Sequence, residues 1–307
     1  MKYLIIGTGG TGGCIGGFLA SNNNDVTFIS RGKNLEMMKE NGLKLKTGIK
    51  GELYLPNIKV FSDKEYTDKA DVIFVCVKSY SIDDIIPIIR NASHENSIII
   101  PIMNGYGMAE KISKKLNTGH VLDGCIYISA FIDESGSIIQ LGNLFRIVFG
   151  TKKGDSVNSS ILNNVKNSLC DCGIEATVSD KIERDTFKKF TFISSYASCA
   201  AYYDIPAKEM QQQGKYRETF KELCEEIKLI GNKLEIELDV DITEANLKIL
   251  DSLTPDTTAS IQKDMEKSKK TEIDGLIFEV VRLSNSASVS TPMYSMIAKH
   301  FGYTIVK

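Results

Sequence analysis

Near its start the chain reads Lys2-Tyr3-Leu4-Ile5-Ile6-Gly7-Thr8-Gly9-Gly10-Thr11-Gly12-Gly13, a short apolar run that breaks into glycines at the spacing G-x-G-x-x-G. Cys14, Ile15, Phe18 and Leu19 then keep an apolar face at helical spacing. Strand, glycines and helix in that order can hold a pyrophosphate. Gly7 permits a sharp turn, Gly9 lets backbone N–H groups approach the ligand without a Cβ between, and Gly12 lets helix and strand pack closely. The phosphates then lie on the positive end of the helix. With Thr8, Gly10 and Thr11, all six residues from Gly7 to Gly12 become candidate cofactor contacts. A plain flexible turn is the competing use of such glycines. Against it, a second apolar run, Val26 to Ile29, arrives where a crossover would deliver the next strand.

That second run ends in Ser30-Arg31-Gly32-Lys33, where the ribose of a dinucleotide would lie. An NAD-preferring chain carries an acid there; this one carries Arg31, whose guanidinium suits a 2′-phosphate, so NADPH is expected. Asp25 belongs to the opposite end of the strand. Two further buried-looking runs, Ala70 to Val77 and Ser97 to Pro101, deliver Lys78 and Asn104 at their ends. Ligands of open parallel sheets bind at the carboxyl ends of strands, so Lys78 and Asn104 should converge with the glycine loop. Much later, Asp185-Thr186-Phe187-Lys188-Lys189-Phe190-Thr191-Phe192-Ile193-Ser194 is unusually apolar for a stretch holding a lysine pair, and one lysine should face inward.

These residues need elements to hold them, and 307 residues at 42% hydrophobic can supply about two domains. Helices are expected at Lys33 to Asn41, through Arg90, at Glu110 to Leu116 and between Ser156 and Cys172, with a hairpin-like region from Leu43 to Phe61. Strands at 126–132, 137–141, 146–149 and 176–178 should finish the sheet with antiparallel members. Beyond Ser179 strand signals disappear, so the fold class is α/β: a dinucleotide-binding domain over residues 1–179, then an all-helical domain over 180–307. A net charge of −2 gives no support to nucleic-acid or membrane partners. Seven cysteines without a spaced framework fit a reduced, cytoplasmic chain, and three histidines offer no metal-ligand spacing, so no metal is expected. The opening apolar run is too short for a leader or a span.

Taken in order, Gly7 to Gly13, Val77-Lys78, Asn104-Gly105-Tyr106-Gly107, Phe187-Lys188-Lys189-Phe190, Ser260-Ile261-Gln262-Lys263-Asp264 and Thr271-Glu272-Ile273-Asp274 resemble the ketopantoate reductase family over nearly the whole length. The resemblance implies a Rossmann domain, a helical domain and NADPH-dependent reduction of a 2-oxo acid to a 2-hydroxy acid, ketopantoate first, as in pantothenate biosynthesis. It assigns Lys189 as the catalytic lysine and Glu272 as its catalytic and cofactor-side carboxylate. Ser260 becomes a substrate-binding serine, and Lys78 and Asn104 cofactor-side or active-site groups. Helical domains of such reductases offer dimer surfaces, so a homodimer is compatible with it.

The chemistry suits the assignment. Hydride addition to a ketone leaves negative charge on oxygen, which an ammonium within reach both stabilises and protonates. Each residue also has a plainer use: Glu272 and Ser260 as helix-start residues, Asn104-Gly105 as a turn, Lys78 at a strand end. Only the ordered set outweighs those uses. The family's substrate-binding asparagines, four and eight residues beyond the lysine and after a proline, are here Ile193, Ala197 and Ala207, and its tryptophan two residues before the lysine is Phe187. The wall beside Lys189 is thus more apolar, which leaves open a different 2-oxo acid, or a non-catalytic NADP(H)-binding regulator.

Overall fold

The computed structural model describes residues 1–152 and 157–304. They divide into two compact units: Met1–Met103 with Gly107–Ile182, and Asn104–Tyr106 with the described residues from Glu183 on.

In the first unit β1 (Lys2–Ile6), α1 (Gly10–Ser21), β2 (Asp25–Ile29) and α2 (Gly32–Asn41) lead into the hairpin β3 (Leu43–Thr47) and β4 (Gly51–Leu55). Then follow β5 (Lys59–Phe61), β6 (Val72–Val75), α3 (Ile82–Ala92), β7 (Ile98–Pro101), α4 (Met108–Ser113) and β8 (His120–Val121). The unit finishes with β9 (Asp123–Ile132), β10 (Ile138–Gly150), α5 (Ser159–Asp171) and β11 (Glu175–Val178). Six strands form a parallel sheet in the order β5-β2-β1-β6-β7-β8, with the order reversing beside β1. Every residue of β6 and β7 is buried, as expected of strands covered on both faces.

The later strands do not finish that sheet. They make a second one, β11-β10-β3-β4, with β9 antiparallel to β10. The runs 137–141 and 146–149 are one strand, β10, whose register shifts between Leu141 and Phe145. A bulge lets one strand look like two in sequence, because the alternation breaks at the extra residues. The proposed start of α5 at Ser156 lies outside the described residues, and α4 stops at Ser113, short of Leu116.

Two sheets explain why α1 is so rich in glycine. A Cβ on Gly12 would overlap the Gly7 carbonyl and the Cys76 side chain, just past the ends of β1 and β6, and one on Gly16 would overlap the Phe28 ring of β2, all on the side of the parallel sheet. One residue further round, a Cβ on Gly13 would overlap Ile138, and one on Gly17 would lie 2.8 Å from Leu45 Cδ2, both on the second sheet. Residues four apart share a helix face, so two glycine rows let α1 approach both layers closely.

The second unit is built from helices: α6 (Ile182–Tyr203), α7 (Ala207–Gln211), α8 (Lys215–Lys233), α9 (Ile242–Ser252), α10 (Ser260–Glu266), α11 (Glu279–Ala287) and α12 (Pro292–His300). Its core includes Phe187, Phe190, Phe220, Ile227 and Tyr294. Between α10 and α11, Asp274–Phe278 is a π-helical turn that runs directly into α11. Glu226 of α8 is buried and accepts the N–H groups of Met293 (2.7 Å) and Tyr294 (2.9 Å), satisfying the first turn of α12.

Candidate active site

In the first unit the ends of β1, β2 and β6 carry the glycine loop, Ser30-Arg31 and, three residues beyond Val75, Lys78. Gly7 has φ +95°, which only glycine adopts without strain, and its amide donates to the Ile29 carbonyl (3.1 Å). This bond ties the loop to the end of β2. Gly9 is exposed and is the N-cap of α1, with no side chain capping the helix. A Cβ built on it would meet nothing within 4 Å, whereas the neighbouring Gly10 and Gly12 have backbone against them. The space over Gly9 and the uncapped helix end fit a pyrophosphate.

Thr8 is buried, and its hydroxyl donates to Ser30 Oγ (2.6 Å). Asn34 Nδ2 donates to Thr8 Oγ1 (2.8 Å), the Thr8 carbonyl (3.1 Å) and Ser30 Oγ (3.0 Å). The side chain of Thr8 therefore anchors the loop, and what it can offer a ligand is backbone. Asn34 was missed in the sequence, where it reads as an ordinary polar residue of α2. Its position four residues after Ser30 is the only clue, and which face of α2 meets the loop depends on the fold.

Arg31 precedes α2 and is half-exposed; its guanidinium lies 3.0 Å from Asp63 Oδ2 and 3.6 Å from Asp84 Oδ2. The strand end itself lacks an acid, yet the fold brings two carboxylates to it from β5's exit and α3. Lys78 is half-buried, immediately before a 3₁₀ turn, Ser79–Ser81.

Asn104 groups with the second unit rather than the first. Tyr106, in the same short segment, sets its ring edge-on to Phe187 (centroids 5.1 Å apart) and stacks on Phe190 (5.9 Å), with its hydroxyl on Glu183 (3.2 Å). Asn104 Nδ2 reaches Glu272 Oε2 at 3.5 Å, a long contact. Glu272 is only 2% exposed, and a carboxylate so placed requires donors. The structure therefore brings Asn104 and Glu272 together. Lys189 is half-buried on α6 of the same unit, while its neighbour Lys188 pairs with Asp239 at 2.7 Å. Ser260 is exposed at the start of α10.

The face of α6 that carries Lys189 continues through Ile193, Tyr196, Ala197 and Ala200, by the 3.6-residue repeat. Its one hydroxyl is taken, because Tyr196 donates to the Thr257 carbonyl (2.7 Å). Ser194 donates to the Leu276 carbonyl (2.6 Å), and Ser198 lies half a turn round from Lys189. Ala197 and Ala207 are buried in the core. Among the described residues no cluster of His, Cys, Asp or Glu could hold a metal, and no helix is long and apolar enough to cross a membrane. None of the seven cysteines is in a disulfide.

Comparison with known proteins matches these two parts separately. Residues 3–154 match the family model "Ketopantoate reductase PanE/ApbA", and residues 181–302 match its C-terminal counterpart. "Uncharacterized oxidoreductase YkpB" of Bacillus subtilis (strain 168) is 29% identical over 96% of this chain and 97% of its own. The 2-dehydropantoate 2-reductase of Aquifex aeolicus (strain VF5) is 25% identical over 97% of this chain and 95% of its own. A D-mandelate dehydrogenase structure with NADH and anilino(oxo)acetate superposes with a TM-score of 0.87 at 20% identity, covering 97% of this chain and 96% of that one. A Rossmann-like unit with an open place over Gly9, followed by a helical unit, is thus matched in both parts by one family. The chain belongs to the ketopantoate reductase family, oxidoreductases that act on the CH–OH group with a nicotinamide dinucleotide.

Proposed function

We propose that this chain reduces a 2-oxo acid to its 2-hydroxy acid with NADPH, residues 1–179 holding the cofactor and residues 180–307 supplying the chemistry. The observation that carries the reading is the buried Glu272 with the Asn104 amide against it, in the helical unit that also bears Lys189. NADPH, when bound, would supply the hydride for the ketone carbon. Lys189 stabilises the developing alkoxide and delivers its proton, which requires the ammonium form before the step. Glu272 holds that ammonium and the ribose in register, and Asn104 orients the carbonyl with one amide. Ser260 binds the substrate carboxylate. Backbone N–H groups at Gly9 and beyond receive the pyrophosphate, Lys78 its cofactor-side charge, and Arg31 a 2′-phosphate.

The substrate to test first is 2-dehydropantoate, the substrate named for several relatives. One observation favours another 2-oxo acid: the α6 face beyond Lys189 offers apolar groups and a tyrosine hydroxyl already donated to Thr257. Such a wall suits a side chain without a hydroxyl, since each unmade hydrogen bond costs about 1 kcal/mol or more.

A panel of 2-oxo acids with NADPH oxidation as the readout tests both readings. Turnover of 2-dehydropantoate above all others supports the first, and a preference for branched or aromatic 2-oxo acids supports the second. No turnover with any member, alongside normal NADPH binding, would overturn the enzyme reading in favour of a regulator.

A further inference from the structure

The stretch after Glu272 is not an ordinary helix. From Asp274 to Phe278 the backbone is π-helical, whereas the residues that follow are regular α11. A π turn bonds i to i+5 and so encloses one residue more than an α turn; relaxing it would rotate everything before it by about 100° against α11. Glu272 stands on the rotating side. It is linked to the turn by its own carbonyl, which accepts from the Leu276 amide at 3.0 Å.

The carbonyl of Leu276 has a partner outside its own helix. Ser194 Oγ donates to it at 2.6 Å, and the same hydroxyl meets Tyr294 Oη at 2.9 Å. Tyr294 Oη also lies 3.1 Å from Ser195 Oγ. Ser194, Ser195 and Tyr294 are all fully buried, so the hydroxyls have no water to exchange with and the network is costly to break in part. Burial also pushes the Tyr294 phenol well above its usual range, so it stays a donor at any working pH. The backbone of Tyr294 is held in turn by Glu226. Ser194 stands five residues beyond Lys189 on α6. One hydroxyl therefore joins the helix of Lys189 to the turn that aims Glu272.

We infer that Ser194 and Tyr294 are positioning residues: they hold the π-helical turn and thereby fix the aim of Glu272 relative to Lys189. This rests on the catalytic reading of Lys189 and Glu272 above. Without the Ser194 hydroxyl the Leu276 carbonyl loses this outside partner, and the turn is free to relax into the α ladder.

The test uses the full chain as Ser194→Ala, Tyr294→Phe, the double variant and Glu272→Gln, with the best 2-oxo acid from the panel. Both single variants should lose kcat per folded molecule by roughly 10- to 100-fold, the scale of a misaimed catalytic group, while NADPH Kd changes little, whatever fall in melting temperature the broken network brings. The double variant should lose no more than the worse single one, since both remove the same constraint. Unchanged kcat in both single variants overturns the inference. So does a fall in melting temperature with kcat per folded molecule intact, and so do losses that multiply in the double variant. If Glu272→Gln cripples turnover and the other variants do not, only this inference falls; if Glu272→Gln turns over normally, the catalytic reading falls and takes the inference with it.

Discussion

The two units make their functional ends from different materials. At the glycine loop the contacts are backbone: an uncapped helix end, an open space over Gly9, and a positive φ at Gly7. In the helical unit the proposed contacts are side chains, Asn104, Glu272 and Lys189, with a π-helical turn and buried hydroxyls following Glu272 in the fold. A backbone site depends on where side chains are missing. A side-chain site depends on partners that come from far away in sequence. The first should tolerate most changes except added atoms, and the second should fail when any single group goes.

The sharpest way to break that contrast is Lys189→Ala. Turnover should fall by about 10²–10⁴-fold, the usual worth of a positioned proton donor, while NADPH binding measured by fluorescence stays near normal. Equal losses in binding and turnover would mean that the two units do not divide the work in this way.

Arg31→Ala should weaken NADPH by roughly 10- to 100-fold through loss of a charge-assisted contact and leave NADH unchanged. Asp63→Asn works in the opposite direction. It frees the guanidinium from a partner 3.0 Å away and should tighten NADPH by about two- to fivefold, a small effect because the pair is exposed. Comparing the two dinucleotides by titration checks both.

Two alanines sharpen the backbone side. Gly9→Ala adds a methyl to open space, so the melting temperature should hold while NADPH Kd rises roughly tenfold from lost amide–phosphate contacts. Gly12→Ala drives a methyl into the Gly7 carbonyl and should cost about 1–3 kcal/mol of stability, read by thermal melting.

The smallest effect concerns acidity. Burial raises the Glu226 carboxyl above its ordinary value, with the amides of Tyr294 and Met293 opposing it. The folded chain then binds that proton more tightly than the unfolded one. Stability should accordingly decline as pH rises from the ordinary carboxylate value to the raised one, and level off above it. Glu226→Gln should flatten that stretch of a melting-temperature profile.

How legible these sites were follows from the same contrast. The turn at Gly7 and the close packing at Gly12 could be read from spacing alone, because backbone approach has a fixed local grammar. Parallel strands buried on both faces read as continuous apolar runs, so β6 and β7 were plain. The second sheet was not, since β3 pairs with β10 more than ninety residues away and nothing local encodes that partner. Arg31 was visible, but Asp63 and Asp84 reach it only through folding. Glu272 could be named by resemblance, while the π turn beyond it has no sequence mark. Ser194, which bonds the Leu276 carbonyl of that turn, looks like an ordinary helix polar residue until Tyr294 arrives against it.

Helix α1 is glycine-lined on two sides because a layer presses on each. A fragment ending at Val121 would keep all six parallel strands and still strip away Ile138 with the rest of β10. Gly13 would then face solvent, and β3 with β4 would be left as a lone ribbon. Anyone transplanting this nucleotide-holding half into another enzyme must therefore carry the chain through β11, and a minimal module cut at the last parallel strand should not be expected to stand.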